Sequence, residues 1–227
     1  MSAAELSSAK NRHPWDWYVE QRWVTKALID ALGIEAFQAL DFRHENNHVT
    51  WNPACGGCNI VHEFQDHGLS AVGTDIARRV DEGAGCYSEH DFLDDQLFHF
   101  AGIKHLSIVS NFPYSQQDGK LVRGLAEDFC RRSLEIATHK VCALLPIKWL
   151  AGERRQRFLT EFPPRYYLIL NERPSMPPGN LIEQLGDKAF KRGKVDYMWV
   201  VWDKQVTTMP GETRTIHIAP RPKVGRG

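Results

Sequence analysis

The chain has 227 residues, and its 28 Lys+Arg balance 28 Asp+Glu, so the formal net charge is zero at pH 7. That balance excludes a uniformly basic polyanion binder, and any nucleic-acid contact needs its cations gathered on one face. With 42% hydrophobic and 25% charged residues the chain has the composition of a globular domain able to bury a core without staples, and no apolar run approaches the roughly 18 residues of a membrane span.

The elements alternate from about residue 20 onward. The opening MSAAELSSAKNRHPWDW carries no apolar h-region, so no secretory signal is expected and cytoplasmic residence is the default. WVTKALIDAL has apolar residues at helical spacing. HVTWNPA reads as a strand entering a Gly-containing turn, and NIVHEFQDHG as a helix capped by Gly68. SAVGTDI is a second strand with IARRVDEG as a short helix after it, and GCYSEHDFL contains a third strand. HLSIVSNFPY is a buried strand that must end near Ser110 or Asn111, because Pro113 cannot continue it. GKLVRGLAEDFCRRSLEIA places Leu121, Val122, Leu125, Ala126, Phe129, Cys130 and Leu134 on one helical stripe. KVCALLPI is a fifth strand, GERRQRFLTEF a polar helix, and YYLILN and DYMWVVW two further strands. Residues 173–194 are rich in Pro, Gly and charge and read as a surface insertion. The whole is expected to be one domain over 1–227, with 1–14 and 214–227 as flexible tails. The last of these carries Arg214, Arg221, Lys223 and Arg226 without an acid, which suits a frayed tail and a phosphate contact equally.

Repeated strand–helix units imply parallel strands with helices on both faces, and ligands then bind beyond the carboxyl ends of the strands. Chemistry is therefore sought in the turns after each strand. In WNPACGGCN the small residues let backbone approach a ligand at a helix N-terminus. Asp75 follows Gly56 by 19 residues, the spacing of an acid that holds ribose hydroxyls. The turn lacks G-x-G-x-x-G, which argues against a dinucleotide. Cys55 and Cys58 fit a redox pair or half a metal site with His62, but no second C-x-x-C exists and packing is the better reading. No metal is expected. The five cysteines are odd in number and irregularly spaced, which argues against a disulfide framework. Asp91, after the third strand, is an acceptor for an exocyclic amine of an adenine ring. Asn111-Phe112-Pro113-Tyr114 supplies two acceptors, the Asn111 side-chain oxygen and the Phe112 carbonyl, that favour a pyramidal, nucleophilic amine. Pro113 fixes the turn, and Tyr114 offers a ring on which a flipped base stacks. A strand-ending turn with an aromatic plug is the plain alternative.

In this order the motifs resemble the amino-methyltransferases that use S-adenosylmethionine (SAM). The family pattern is a glycine-containing turn, often E-P-A-C, then a ribose acid, an acid in a D-F-like step, and (D/N/S)-P-P-(Y/F). Here these read NPAC at Asn52, Pro53, Ala54 and Cys55, GTDI ending in Asp75 and Ile76, DFL from Asp91 and Phe92, and NFPY. DWYVEQRW, with Tyr18 and Glu20, is similar to the segment that closes over the methionine part of the cofactor. PIKWLAGERRQRFL, RPSMPPG and VWDK look like the tail of compact phage and prophage members. The resemblance implies a Rossmann-like class I SAM-dependent fold, α/β with a seven-stranded mostly parallel sheet in which DYMWVVW runs antiparallel between its neighbours. It implies SAM as cofactor, bound by Tyr18, Glu20, Asn52–Gly56, Asp75, Ile76, Asp91 and Phe92, and catalysis by Asn111, Phe112, Pro113 and Tyr114. The implied substrate is an exocyclic amine, N6 of adenine in duplex DNA with the base flipped. Two departures stand out: Asn52 replaces the usual acid, and Phe112 the first Pro. No Pro-Cys dipeptide occurs, which sets aside cytosine C5 methylation. RNA adenine, a protein glutamine amide and a non-catalytic SAM-fold module remain alternatives.

Overall fold

The computed structural model describes residues 13–38, 47–80, 87–94, 103–191 and 193–222. Its core is an eight-stranded sheet, one strand more than expected. The strands are β1 (His48–Asn52), β2 (Ala71–Asp75), β3 (Tyr87–Glu89), β4 (His105–Ser110), β7 (Lys140–Pro146), β8 (Tyr166–Leu170), β9 (Tyr197–Asp203) and β10 (Arg214–Ile218). A separate hairpin, β5 (Gln116–Gln117) with β6 (Lys120–Leu121), follows β4. The spatial order is β3-β2-β1-β4-β7-β9-β8-β10. All main-sheet pairings are parallel except those of β9, which runs antiparallel between β7 and β8 as expected.

Alternation of side chains across the pleat builds two cores. On one face Val109, Cys142, Leu144 and Trp199 meet helices α1 (Arg22–Leu32) and α2 (Asn59–Asp66). On the other, Ile108, Val141, Ala143 and Val200 meet α3 (Leu125–Ile136) and α4 (Glu153–Glu161). Every residue of β7 is buried, the signature of a central strand covered on both sides.

Four expectations need correction. The stripe drawn from Leu121 through Leu134 breaks at Gly124, whose φ of +91° only glycine adopts without strain. Leu121 lies instead on β6, 63% exposed. Residues 214–218 are not a frayed tail but the edge strand β10, in register with β8 from Arg214↔Tyr166 to Ile218↔Leu170. Lys223 and Arg226 lie outside the described residues, as do 1–12 of the other expected tail. Residues 76–80 are bent rather than helical, and 81–86, the rest of the short helix expected there and the start of the third-strand segment, lie outside the described residues. Within the insertion at 173–194, Pro174, Ser175, Pro177 and Pro178 are buried, and three short helical turns follow, including α5 (Ile182–Leu185).

Candidate active site

The carboxyl ends of β1, β2, β3 and β4 open into one cleft, lined by the turns that follow these strands and by residues 15–20. At the end of β1 the Asn52 side chain is buried, and its Oδ1 accepts from the Ala54 N–H at 3.3 Å. Asn52 is thus spent on shaping the turn, and it is the one predicted cofactor residue that does not line the cleft. Gly56 has φ +50° and Cys58 φ +63°. Both lie in the left-handed region, and both N–H groups are paired within the turn, Gly56 with Asp75 Oδ2 at 2.9 Å and Cys58 with Cys55 O at 2.7 Å. A side chain on Gly57 would meet nothing within 4 Å, so its backbone faces open space. Cys55 and Cys58 are buried in the first core with their Sγ atoms 3.8 Å apart.

Asp75, at the end of β2, is 7% exposed. Its Oδ2 accepts from Gly56 N–H at 2.9 Å and its Oδ1 from Ala77 N–H at 3.2 Å, and Arg79 Nε lies 3.7 Å away. Burial pushes its carboxyl above the usual range, against the pull of the Gly56 N–H and the Arg79 charge. Asp91 and Phe92 also line the cleft, and Asp91 Oδ1 accepts from Leu93 N–H at 3.0 Å.

A strap formed by residues 15–20 lines the cleft; in the sequence its DWYVEQRW segment stood out with Tyr18 and Glu20, whereas Asp16 and Trp17 carried no role of their own. Trp17 packs over the Gly56 backbone, where a Cβ would come within 2.8 Å of its Nε1, and against Gly179, where a Cβ would collide with the ring. The Arg79 guanidinium sits 4.8 Å from the Trp17 ring centroid. Val19 N–H donates to Pro177 O and Gly179 N–H to Trp17 O, both at 3.0 Å, so the strap is tied to the buried part of the insertion. Asp16, at φ +50° and 6% exposed, accepts three consecutive N–H groups on its Oδ2: Tyr114 at 3.0 Å, Ser115 at 2.7 Å and Gln116 at 2.8 Å.

The strap also orients Asn111. Asn111 Nδ2 donates to Tyr18 O at 2.9 Å and to Glu20 Oε2 at 3.0 Å, so the amide nitrogen faces the strap. Its Oδ1 accepts from Tyr114 Oη at 2.8 Å and keeps a second lone pair. Glu20 is 6% exposed, and burial pushes its carboxyl up to about 7, opposed by its own backbone N–H and the Asn111 amide. Asn111 and Pro113 line the cleft. The Phe112 ring is instead turned into the core against Phe92 and Phe129. Tyr114 lines a neighbouring cleft with Arg123, Lys148, Trp149, Arg154 and Arg155. Arg154 and Arg155 converge with Arg131 on the buried Glu127, whereas Arg123 and Lys148 make no ion pair among the described residues.

Solved structures share this fold. A Listeria monocytogenes protein described as a class I SAM-dependent methyltransferase superposes with a TM-score of 0.55 at 14% identity, over 87% of this chain and 65% of that one. The chain has the fold of the class I SAM-dependent methyltransferases. The EcoKI type I restriction enzyme M protein shares this fold at TM-score 0.54 and 11% identity, over 98% and 52% of the two chains. So does a chain from a type I restriction–modification complex, at 0.52 and 14%, over 99% and 49%. The chain thus spans between about half and two thirds of the length of these class I proteins. No protein-family model and no curated protein matches it.

Proposed function

We propose that the chain is a SAM-dependent methyltransferase acting on an exocyclic amine, N6 of adenine in DNA. The observation that carries this reading is Asn111. Its amide is fixed at the end of β4 with nitrogen to the strap and oxygen turned away, one lone pair still available. An oxygen so held accepts an N–H of a planar amine and draws its nitrogen towards the pyramidal, nucleophilic state. Two of the structural neighbours belong to type I restriction–modification systems, which favours DNA.

The cleft fits SAM. Trp17 Nε1 is buried without a hydrogen-bond partner, a donor ready for a ligand oxygen. Gly57 presents bare backbone, and the Asp75 carboxylate is an acceptor for ribose hydroxyls. Ile76 and Phe92 supply apolar contact for an adenine ring, with Asp91 as acceptor for its amine. Pro53, Ala54, Cys55 and Gly56 face the methionine part, together with Tyr18 and Glu20. When bound, SAM supplies an electrophilic methyl group. The chain's own residues hold the acceptor amine, exclude water with the strap and keep the Asn111 oxygen in place. Duplex DNA approaches from the Tyr114 cleft, where Arg123 and Lys148 offer positive charge to phosphates and the Tyr114 ring meets a flipped base.

The test is incubation with labelled SAM and unmethylated DNA, followed by nucleoside mass spectrometry, with Asn111→Ala in parallel. N6-methyladenine is expected from the native chain, and a loss of about a hundredfold or more in the variant with SAM binding retained. N4-methylcytosine would refute the base and keep the enzyme class. SAM binding with product on RNA, on a glutamine amide or on nothing would move the assignment accordingly.

A further inference from the structure

The closing strap places one carboxylate where a cofactor's charge must sit. Glu20 is 6% exposed and lines the cleft, and among the described residues it has no cation beside it. Arg79, which lines the same cleft, is engaged with Asp75 and the Trp17 ring, and Arg22, two residues along the chain, with Glu63 and Asp66. The groups that face Glu20 are the Cys58 thiol on the turn before α2, and the Asn111 amide and Tyr114 phenol on the loop after β4, with Asp16 and Tyr197 beyond Tyr114. None is cationic. A buried carboxylate held only by neutral groups is costly, and a site of this kind is completed by a positive ligand.

Geometry says which ligand charge this is. An amine accepted by Asn111 Oδ1 must meet the transferable methyl at about 3–3.5 Å. The sulfonium behind that methyl then lies within a few ångström of Asn111, whose other amide end is 3.0 Å from Glu20 Oε2. We infer that Glu20 is the counter-charge of the sulfonium, and that it makes the cleft select SAM over the neutral thioether S-adenosylhomocysteine left after transfer. This rests on the SAM reading of the cleft and adds to it a charge test that the remaining contacts, common to both ligands, do not provide. It also gives product release a cause. Once the methyl has left, the sulfur is neutral and the carboxylate loses its partner.

The inference has a thermodynamic consequence. With its carboxyl held near 7 in the free protein, Glu20 is largely protonated at pH 6. A cation within about 4–6 Å lowers a carboxyl by one to three pH units, so SAM binding at pH 6 expels a proton and SAM affinity rises with pH until it levels off above 7.

Calorimetry at pH 6 and pH 8, in two buffers of different ionisation enthalpy, tests this on the native chain with both ligands. For SAM, release of close to one proton at pH 6 and an affinity about tenfold higher at pH 8 are expected. S-adenosylhomocysteine carries the same amino acid and nucleoside groups and should show neither. Glu20→Gln should abolish the proton release and cut the SAM preference at pH 8 by about tenfold or more. Should that variant fail to fold, the native-chain comparison stands by itself. Equal pH dependence and equal proton release for the two ligands would overturn the inference while leaving the cofactor assignment intact. Failure of both ligands to bind would remove the cofactor assignment itself.

Discussion

Asp16 offers the sharpest mechanical prediction. One of its oxygens accepts the N–H groups of Tyr114, Ser115 and Gln116, all within 3.0 Å, and the residue is 6% exposed. Hydrogen bonds to a charged group contribute about 1.5–3 kcal/mol each. Because three share one oxygen they do not add, and water partly replaces them on removal, so Asp16→Ala should cost about 3–5 kcal/mol locally. Alanine is also disfavoured at the φ of +50° that Asp and Asn tolerate. Asp16→Asn keeps one oxygen and that backbone freedom, and should cost about 1–2 kcal/mol. Amide hydrogen exchange reads the effect directly. A loss of about 3–5 kcal/mol accelerates exchange at residues 114–116 by at least about a hundredfold. The melting temperature should fall by less than the roughly 2–4 °C per kcal/mol of a global effect, since the strap can detach without the sheet opening. Unchanged exchange at those three amides in Asp16→Ala would show that the loop holds its shape unaided, and would end the argument that the strap organises the site.

Other outcomes follow from the same geometry. Asp75→Ala should weaken SAM binding by about 1.5–3 kcal/mol, measured by calorimetry, and an unchanged Kd would remove Asp75 from the cofactor site. Arg123→Ala and Lys148→Ala should each lower the slope of log affinity against log salt for duplex DNA by about 0.9, and parallel salt plots would show that neither meets a phosphate. At the opposite end of the sheet, His48 is held down to about 3 and His139 to about 4, chiefly by burial and then by neighbouring charge. Both bind fewer protons folded than unfolded, so their stabilising effect is complete above about pH 6.5 and is lost as pH falls towards 3–4. His48 alone should account for about 2 kcal/mol of lost stability by pH 5. Urea midpoints at pH 7 and pH 5 should differ accordingly, and His48→Phe should narrow the gap.

Much of the sheet was legible because its central strands are short, mostly apolar and rich in β-branched or aliphatic residues: HLSIVS and KVCALLP are buried along nearly their whole length. The inverted β9 was not readable from periodicity, since YMWVVW is apolar throughout and polarity does not encode direction. That expectation came from the resemblance. The β5–β6 hairpin had a local signal, Asp118-Gly119 between two short extended pairs. Its Leu121 and Val122 also fit the helical period of α3, and that longer pattern outweighed the turn. β10 alternates too weakly to be seen, being exposed along most of its length at a sheet edge. In the site, the turn, Asp75, Asp91 and NFPY stood out because each follows a strand. Asp16 and Trp17 entered only as part of the DWYVEQRW resemblance, without their contacts. Their partners lie 98 to 100 residues away for Asp16 and at Gly179 for Trp17, and nothing local marks such a contact.

The interior position of β9 bears on how the chain is made. β7 is complete at Pro146, yet the strand that covers its open edge ends only at Asp203, and β8, though made earlier, reaches β7 only through β9. During synthesis the edge of a strand that is buried along its whole length therefore waits for more than fifty residues before its partner emerges. At about 5–20 residues per second that interval lasts several seconds. An unpaired edge of this kind is a template for association with other chains. Ribosome pausing between β8 and β9 should therefore lower the yield of folded protein without touching a single contact of the finished molecule.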